Sequence, residues 1–430
     1  MKGETKPVAP ANEQPAGVMV DHLFRSHAGQ MVSYLTRMLG PEHLDLAEEV
    51  VQESLLKALQ SWSYNGIPDN PAGWLFRVAR NAALDAVRHQ SLVVQKEAQV
   101  EVDYLQRNSA VAEGDPRLEE RLRDDELRMV LMCCHPALPR EARVALSLKT
   151  VGGFNVREIA RAFLTEEATI SQRLVRAKRQ IRDLNLKFEM PIGVELSARL
   201  QSALEVIYLM FNEGYAAQSG EDLVRHDLCG EALRLGKLLA DSSIGTPTTK
   251  ALVALMAFQA ARLPARVDSS GDLVLLPDQD HKLWDAQLTA LGFHYFSQCS
   301  EGDEISEYHI QAAIASTHAC AANPRNTDWK AILELYDQLM GLNPSPIVAL
   351  NRVVALSQVR GPQAGLDALQ PLLSEASLKR YYLLPVLRGH LLFDLGDPTA
   401  AAEHFRQALL HPCSEPERRL IQRRLAECDS

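Results

Sequence analysis

Residues Phe154 to Ile181 read FNVREIARAFLTEEATISQRLVRAKRQI. The first half, VREIARAF, repeats apolar residues at the spacing of one short helix, and LTEEA interrupts that spacing. Thr165 and Glu166 in the interruption are expected to cap a second helix. That helix, ATISQRLVRAKRQI, would turn four apolar residues inward: Ile170, Leu174, Ala177 and Ile181. Two short helices around a short break predict a helix-turn-helix.

The second helix ends in concentrated positive charge. Five basic residues occupy ten positions: Arg173, Arg176, Lys178, Arg179 and Arg182. A solvated helix face is one interpretation, and a helix lying on nucleic acid is the other. In the second interpretation, Gln172 and Arg173 have the donors and acceptors to read base edges in the major groove. Lys178, Arg179 and Arg182 would then hold phosphates.

Charge and length suggest several domains with different partners. The chain has 430 residues and a formal net charge of -10, so two to four domains are expected. Residues 140–182 carry 10 basic and 4 acidic residues, whereas residues 97–126 carry 4 basic and 10 acidic residues. A basic segment that follows an acidic one is the charge pattern of a nucleic-acid-binding protein with an acidic linker.

Cysteine usage and hydropathy indicate a cytoplasmic protein. Seven cysteines are scattered without CxxC spacing, and the CCHP cluster at 133–136 is expected to hold buried small side chains rather than a metal or a disulfide. No stretch reaches the roughly 18 apolar residues that a membrane span needs. The Pro- and Ala-rich first 20 residues are interpreted as a disordered tail and not a signal peptide.

Helical periodicity dominates the chain, and the sequence predicts an all-α fold: two small helical domains joined by a linker, followed by an α-helical repeat-containing domain. Asn70 and Pro71 have the residue types of a helix cap and first helical position. The predicted divisions are a disordered tail (1–20), a first helical domain (21–90), an acidic linker (91–125), a second helical domain (126–188), a helical extension (189–310) and a repeat domain (311–430).

The repeat prediction rests on two segments that align at an offset of 36 residues, 352–373 and 388–409. Gly389, Ala401, Phe405 and Ala408 have the spacing of small and aromatic residues in a tetratricopeptide repeat. A weaker third unit spans 319–344. Arrays of this kind present a concave surface, so a protein or peptide ligand is expected there.

Three motifs in this order resemble the extracytoplasmic-function class of bacterial sigma factors. DLAEEVVQESLLKAL is similar to the helix that binds core polymerase, and NPAGWLFRVARNAALDAVR is similar to the segment that reads the -10 promoter element. The segment from LPREARVAL to RAKRQI is similar to the domain that reads the -35 element. The resemblance covers roughly residues 20 to 185, while FNEGY, PDQDHKLWD and the repeats resemble the long extension of one subgroup.

The resemblance implies partners and site residues, and it implies no cofactor. The polymerase-binding residues, facing the clamp helices of the largest polymerase subunit, would be Asp45, Glu49, Gln52 and Glu53. Those at the -10 element would be Trp74, Arg77, Asn81 and Arg88. Those at the -35 element would be Thr169, Ser171, Gln172, Arg173 and Arg176, with Lys178 and Arg179 on phosphates. The expected function is promoter-specific transcription initiation with core RNA polymerase, and the extension would regulate it.

Two other readings stay open at this point. A stand-alone helix-turn-helix regulator with the repeats as its sensor would bind duplex DNA without polymerase. A repeat scaffold with an incidental basic helix would show no salt-dependent DNA affinity. An enzyme is not expected, since no nucleophile–base pair, phosphate loop or metal spacing is found. Asp278, Asp280, His281 and Asp285 are interpreted as a capping and salt-bridge cluster rather than a metal site.

Overall fold

The computed structural model describes residues 27–93, 118–215, 226–302, 304–321 and 323–429. These residues form eighteen α-helices and no strand, so the all-α prediction is confirmed. The chain divides into two compact units between Val206 and Ile207. The predicted tail at 1–20 lies outside the described residues.

The first unit holds helices α1 to α7 and the first part of α8. Their bounds are α1 (27–39), α2 (Leu44–Asn65), α3 (Pro71–Val93), α4 (Leu118–Cys133), α5 (Arg140–Thr150), α6 (Val156–Ala162), α7 (Glu167–Asp183) and α8 (Gly193–Tyr215). Helix α3 begins as predicted, because the Asn70 side chain accepts a hydrogen bond from the Gly73 backbone N–H at 2.8 Å and Pro71 is the first helical residue.

Helices α1 to α3 pack around one apolar core, and α4 to α7 pack around another. The first core contains Leu35, Trp62 and Leu75, and the second contains Ile159 and Leu174, all buried. The buried carboxyl of Asp125 in α4 accepts hydrogen bonds from Arg37 in α1 and Arg128, both at 2.8 Å. Burial raises the pKa of Asp125 in spite of these two arginines. The first unit is therefore held together by ionic as well as apolar contacts.

A close backbone approach also joins the two cores. A Cβ on Gly29 of α1 would lie 2.0 Å from the carbonyl oxygen of Val151, just after α5. Any side chain at position 29 would therefore push α1 away from α5.

The acidic linker is shorter than the sequence suggests. Helix α3 continues to Val93, and α4 already begins at Leu118, with Glu119 and Glu120 in its first turn. Residues 118–125 of the predicted linker are thus helical, while 94–117 lie outside the described residues. Acidic side chains are favourable in the first turn of a helix, so an acidic segment in the sequence does not distinguish a linker from the beginning of a helix.

The second unit holds the rest of α8 and ten further helices. They are α9 (His226–Ala240), α10 (Pro247–Ala261), α11 (Ala286–Gln298), α12 (Glu307–Cys320), α13 (Trp329–Leu342), α14 (Pro346–Arg360), α15 (Pro362–Leu369), α16 (Leu383–Asp394), α17 (Pro398–Ala408) and α18 (Glu415–Cys428). Helix α10 is buried on nearly all sides and packs against α9, α11 and α12.

The two aligned segments form similar helix pairs. Pro362 and Pro398, 36 residues apart, each begin the second helix of a pair. A Cβ on Gly389 would lie 2.8 Å from the ring of Phe405, so the small residue lets α16 approach α17 and the aromatic ring fills the contact. That these pairs are tetratricopeptide repeats stays a prediction.

Candidate nucleic-acid interface

The predicted helix-turn-helix is formed by α6 and α7. Asn155 begins α6 with a capping box, in which its side chain accepts from the Glu158 N–H and the Glu158 carboxylate accepts from the Asn155 N–H. The turn contains Leu164 at φ 49°, a left-handed conformation that is uncommon for leucine. Helix α7 follows Glu166, whose side chain makes no capping hydrogen bond, so the expected capping by Thr165 and Glu166 was wrong.

Helix α7 buries the four apolar residues that the sequence turned inward, namely Ile170, Leu174, Ala177 and Ile181. The opposite side is exposed at Ser171, Gln172, Arg176 and Arg179, while Thr169, Arg173 and Lys178 are half-buried. Val175 is also exposed on this side and was not singled out in the sequence. An apolar residue among polar and basic ones suits contact with a thymine methyl group.

Lys178 points away from the exposed side and contacts α2. Its ammonium donates to Asp45 Oδ1 at 2.7 Å and to Glu48 Oε2 at 2.8 Å, and only 11% of the side chain is exposed. Arg182 donates to the other oxygen of Asp45 at 3.1 Å. The hydroxyl of Thr150 donates to Glu48 Oε1 at 3.0 Å. We call Asp45, Glu48, Thr150, Lys178 and Arg182 the α2–α7 ion cluster.

The contacts within the α2–α7 ion cluster shift the pKa values of Asp45 and Lys178 toward their charged forms. Burial acts to raise the pKa of Asp45, but hydrogen bonds and charge from Lys178 and Arg182 outweigh it and hold that pKa below its usual value. Burial acts to lower the pKa of Lys178, and the carboxylates of Glu48 and Asp45 outweigh it and raise that pKa. Both groups are therefore charged at neutral pH.

The predicted polymerase-binding residues share one exposed face of α2. Asp45, Glu49, Gln52 and Glu53 are all exposed. Leu56 continues this face one turn further and is 58% exposed. Leu56 was missed because it reads in the sequence as one more core position.

The residues expected at the -10 element form one stripe along α3. Trp74 is half-buried, and its ring packs edge-on against Trp62 at 5.4 Å between centroids. Arg77, Asn81 and Arg88 follow at helical spacing and are exposed. Arg88 also donates to Asp85 at 3.1 Å.

The acidic stretch of the extension has a structural role. Asp280 caps a short 3₁₀ turn by accepting from Lys282 N–H, and Asp285 caps α11 by accepting from Gln287 and Leu288. Asp278 lies 3.8 Å from Arg424. No group of three or more potential metal ligands is found among the described residues. Capping by Asp280 and Asp285 and the ion pair of Asp278 agree with the interpretation, whereas His281 contacts the Ala321 carbonyl instead.

The cysteines of CCHP are buried free thiols, as expected. Burial raises the pKa of Cys134 to about 11, so its thiol is protonated and unreactive at neutral pH. Across the described part of the chain, every helix is too short or too polar to cross a membrane.

Three family models match the chain. Residues 23–93 match Sigma-70 region 2, and residues 128–181 match Sigma-70 region 4. Residues 199–300 match a family of unknown function, DUF6596. The two sigma matches contain the α2 face, the α3 stripe and the helix-turn-helix.

The proteins that are similar in sequence include two ECF sigma factors. An uncharacterized protein of Rhizobium meliloti is 40% identical over 388 residues, 89% of this chain and 90% of that one. The ECF RNA polymerase sigma factor SigE of Mycolicibacterium smegmatis is 31% identical over 171 residues, 40% of this chain and 63% of that one. SigM of Bacillus subtilis, also an ECF sigma factor, is 28% identical over 38% of this chain and 94% of its own length.

No solved structure is significantly similar to the chain. The two sigma factors match 40% and 38% of this chain, whereas the Rhizobium protein matches 89% of it. With both sigma regions present in order and a long helical region after them, the chain belongs to the extracytoplasmic-function sigma factors and carries a C-terminal extension.

Proposed function

We propose that the protein binds core RNA polymerase through the exposed face of α2 and directs initiation at promoters that α3 and α7 read. The observation that carries this proposal is the separation of three exposed surfaces on one unit. The α2 face is acidic, with Asp45, Glu49 and Glu53. Because carboxylates repel phosphates, this face suits a protein partner, while the basic side of α7 suits DNA.

The stand-alone regulator is less well supported. It would need the helix-turn-helix and a sensor but would have no use for the Sigma-70 region 2 that residues 23–93 match. A sigma factor uses both regions. In this role the protein would act in the cytoplasm and would spend binding energy on capturing a melted strand, without covalent chemistry of its own.

The α2–α7 ion cluster adds a condition to polymerase binding. Asp45 is an expected polymerase contact, and Lys178 is an expected phosphate contact, yet each is the other's partner at 2.7 Å. The Lys178 side chain is only 11% exposed and cannot reach a phosphate while this bond persists. We therefore infer that α7 separates from α2 when polymerase and DNA are bound.

Run-off transcription with core polymerase tests the proposal. Glu49→Lys reverses a charge on the exposed α2 face and is expected to weaken core association by at least about tenfold. Glu120→Lys, an exposed reversal in the first turn of α4, is the matched control and should behave like the unmodified chain. Equal loss in both variants, or in neither, would contradict the α2 assignment.

The same assay addresses the extension, which we propose regulates initiation, with a protein or peptide ligand on the surface of the repeats. A chain shortened to residue 206 keeps the contacts of Ser202 with Cys134 and Arg143 inside the first unit. A higher transcript yield from the shortened chain means that the extension restrains initiation, and a lower yield means that it assists. Equal yields would argue against a regulatory role.

A further inference from the structure

A group of basic and aromatic side chains lies within the second unit, outside both sigma matches. It brings together the end of α8, the turn after α10, the segment before α11, and α12. Its members, here called the arginine–aromatic cluster, are Tyr215, Arg262, Arg266, Trp284 and His318.

The two arginines are held by aromatic rings. The Cζ atom of Arg266 lies 4.0 Å from the ring centroid of Tyr215, and Arg266 also donates to the Tyr215 carbonyl oxygen. The Cζ atom of Arg262 lies 5.7 Å from the Trp284 ring, and its Nε donates to the buried amide oxygen of Gln279 at 3.4 Å. These contacts orient both guanidinium groups.

Neither arginine has a carboxylate partner among the described residues. Burial lowers the pKa of Arg262; nearby Tyr215 acts to raise it, and the charge of Arg266 lowers it further. Other arginines of the same unit are paired with acids, for example Arg352 with Asp337 and Arg419 with Asp272. Arg262 and Arg266 are thus two neighbouring cations held by aromatic rings, without a carboxylate partner in the described part of the second unit.

Trp284 and His318, two other members of the arginine–aromatic cluster, each carry a ring N–H group. The indole N–H of Trp284 is buried and has no partner within the described residues. Burial, Arg262 and His281 lower the pKa of His318 to about 4, so its ring is neutral at pH 7 and offers one N–H. The Nδ1 of His281 contacts the Ala321 carbonyl at 3.0 Å.

We propose that the arginine–aromatic cluster binds a small organic anion, through a carboxylate or phosphate group held by Arg262 and Arg266. An anion would neutralise two like charges that repel each other in partly buried surroundings. Guanidinium groups bind such anions through paired, charge-assisted hydrogen bonds. The rings of Tyr215 and Trp284 would flank the ligand, and the Trp284 N–H would gain its missing acceptor. This proposal does not depend on the sigma function.

Thermal unfolding of the full chain in low-salt buffer tests it, with inorganic phosphate and benzoate added separately. The variants are Arg262→Met, Arg266→Met and the control Arg360→Met, an exposed arginine at the end of α14. At least one anion should raise the melting temperature of the unmodified chain and of the control by several degrees, and this shift should be lost in the two cluster variants. If only one of the two anions produces the shift, that anion shows whether the cluster prefers a phosphate or a carboxylate group.

Without added anion, Arg262→Met should be at least as stable as the unmodified chain, because it removes the repulsion. The proposal is overturned if neither anion shifts the unmodified chain, or if all variants shift equally, which is a general ion effect. It is also overturned if both cluster variants melt at lower temperature without anion, since the arginines would then be structural. Transcription by the Glu49→Lys variant has no bearing on these outcomes, so the two proposals fail separately.

Discussion

Two groups of basic side chains in this protein have opposite surroundings. In the first unit, Lys178 and Arg182 are neutralised by Asp45 and Glu48 at 2.7 to 3.1 Å. In the second unit, Arg262 and Arg266 lie against aromatic rings, with no carboxylate among the described residues near them. The first group is paired with carboxylates of its own unit, whereas the described residues give the second group aromatic rings, a carbonyl oxygen and an amide oxygen as partners.

The difference separates a contact that stabilises a conformation from a site that is prepared for a ligand. Removing one member of a satisfied ion cluster leaves a buried charge without its partner and destabilises the fold. Removing one of two cations that repel each other is expected instead to stabilise the fold. Charge alone would class both groups as basic patches, but only their partners tell them apart.

The largest effect is expected at Lys178. Lys178→Met leaves Glu48, whose side chain is only 11% exposed, with Thr150 as its remaining partner. We expect a loss of about 3 kcal/mol, the lower end for a broken buried pair, because Thr150 still donates. Native-state hydrogen exchange of the α2 and α7 amides measures this loss locally.

Arg179→Met is the control for this measurement. Arg179 lies one position further along α7, is 75% exposed and contacts Asp183 at 3.4 Å. Its replacement should change protection by no more than about 0.5 kcal/mol. Equal protection in both variants would mean that α2 and α7 do not hold each other in solution.

A smaller effect distinguishes Lys178 from Arg179 in binding to DNA. The salt dependence of binding to duplex DNA counts phosphates neutralised by the protein, and losing one contact lowers the slope by about 1. In the free chain, Arg179→Ala should lower the slope by that amount, whereas Lys178→Ala should leave it unchanged because Lys178 is occupied by carboxylates. A reduced slope for Lys178→Ala would show that it leaves Asp45 and Glu48 for phosphate.

Local features of the fold could be predicted from the sequence because they depend on neighbouring residues. The inward stripe of α7 and the Asn70 cap of α3 follow from helical spacing and from residue types, and both are present. The start of α4 was missed because its first turns are acidic. Leu122 and Leu127 are nevertheless buried there, and composition does not distinguish a charged linker from a charged amphipathic helix.

Long-range partners could not be predicted. Lys178 and Glu48 are 130 positions apart, and periodicity assigns Lys178 to a face of α7 without saying what that face meets. Nothing in the sequence around Arg262 and Arg266 indicates which side chains they contact. Their significance comes from Tyr215 and Trp284, which only the tertiary fold brings to them.

The smallest effect concerns pH and isolates the α2–α7 ion cluster. The pKa of Asp45 is lowered in the folded chain, so its contribution is present above its unfolded pKa and is lost as pH falls through the lower folded value. The pKa of Lys178 is raised, so its contribution is present below its unfolded pKa and is lost as pH rises through the higher folded value.

The difference in exchange protection between the unmodified chain and Lys178→Met should therefore be constant between about pH 5 and pH 9 and decrease outside this window. The acid limb should be shallow, because the Asp45 side chain is 61% exposed and water screens its charge. A difference that changes steeply between about pH 5 and pH 6.5 would instead point to a histidine whose pKa is lowered in the folded chain. His135, in the same unit, is the candidate, since burial and Arg199 lower its pKa. In that case the energy attributed to Lys178 would belong to the packing around α4.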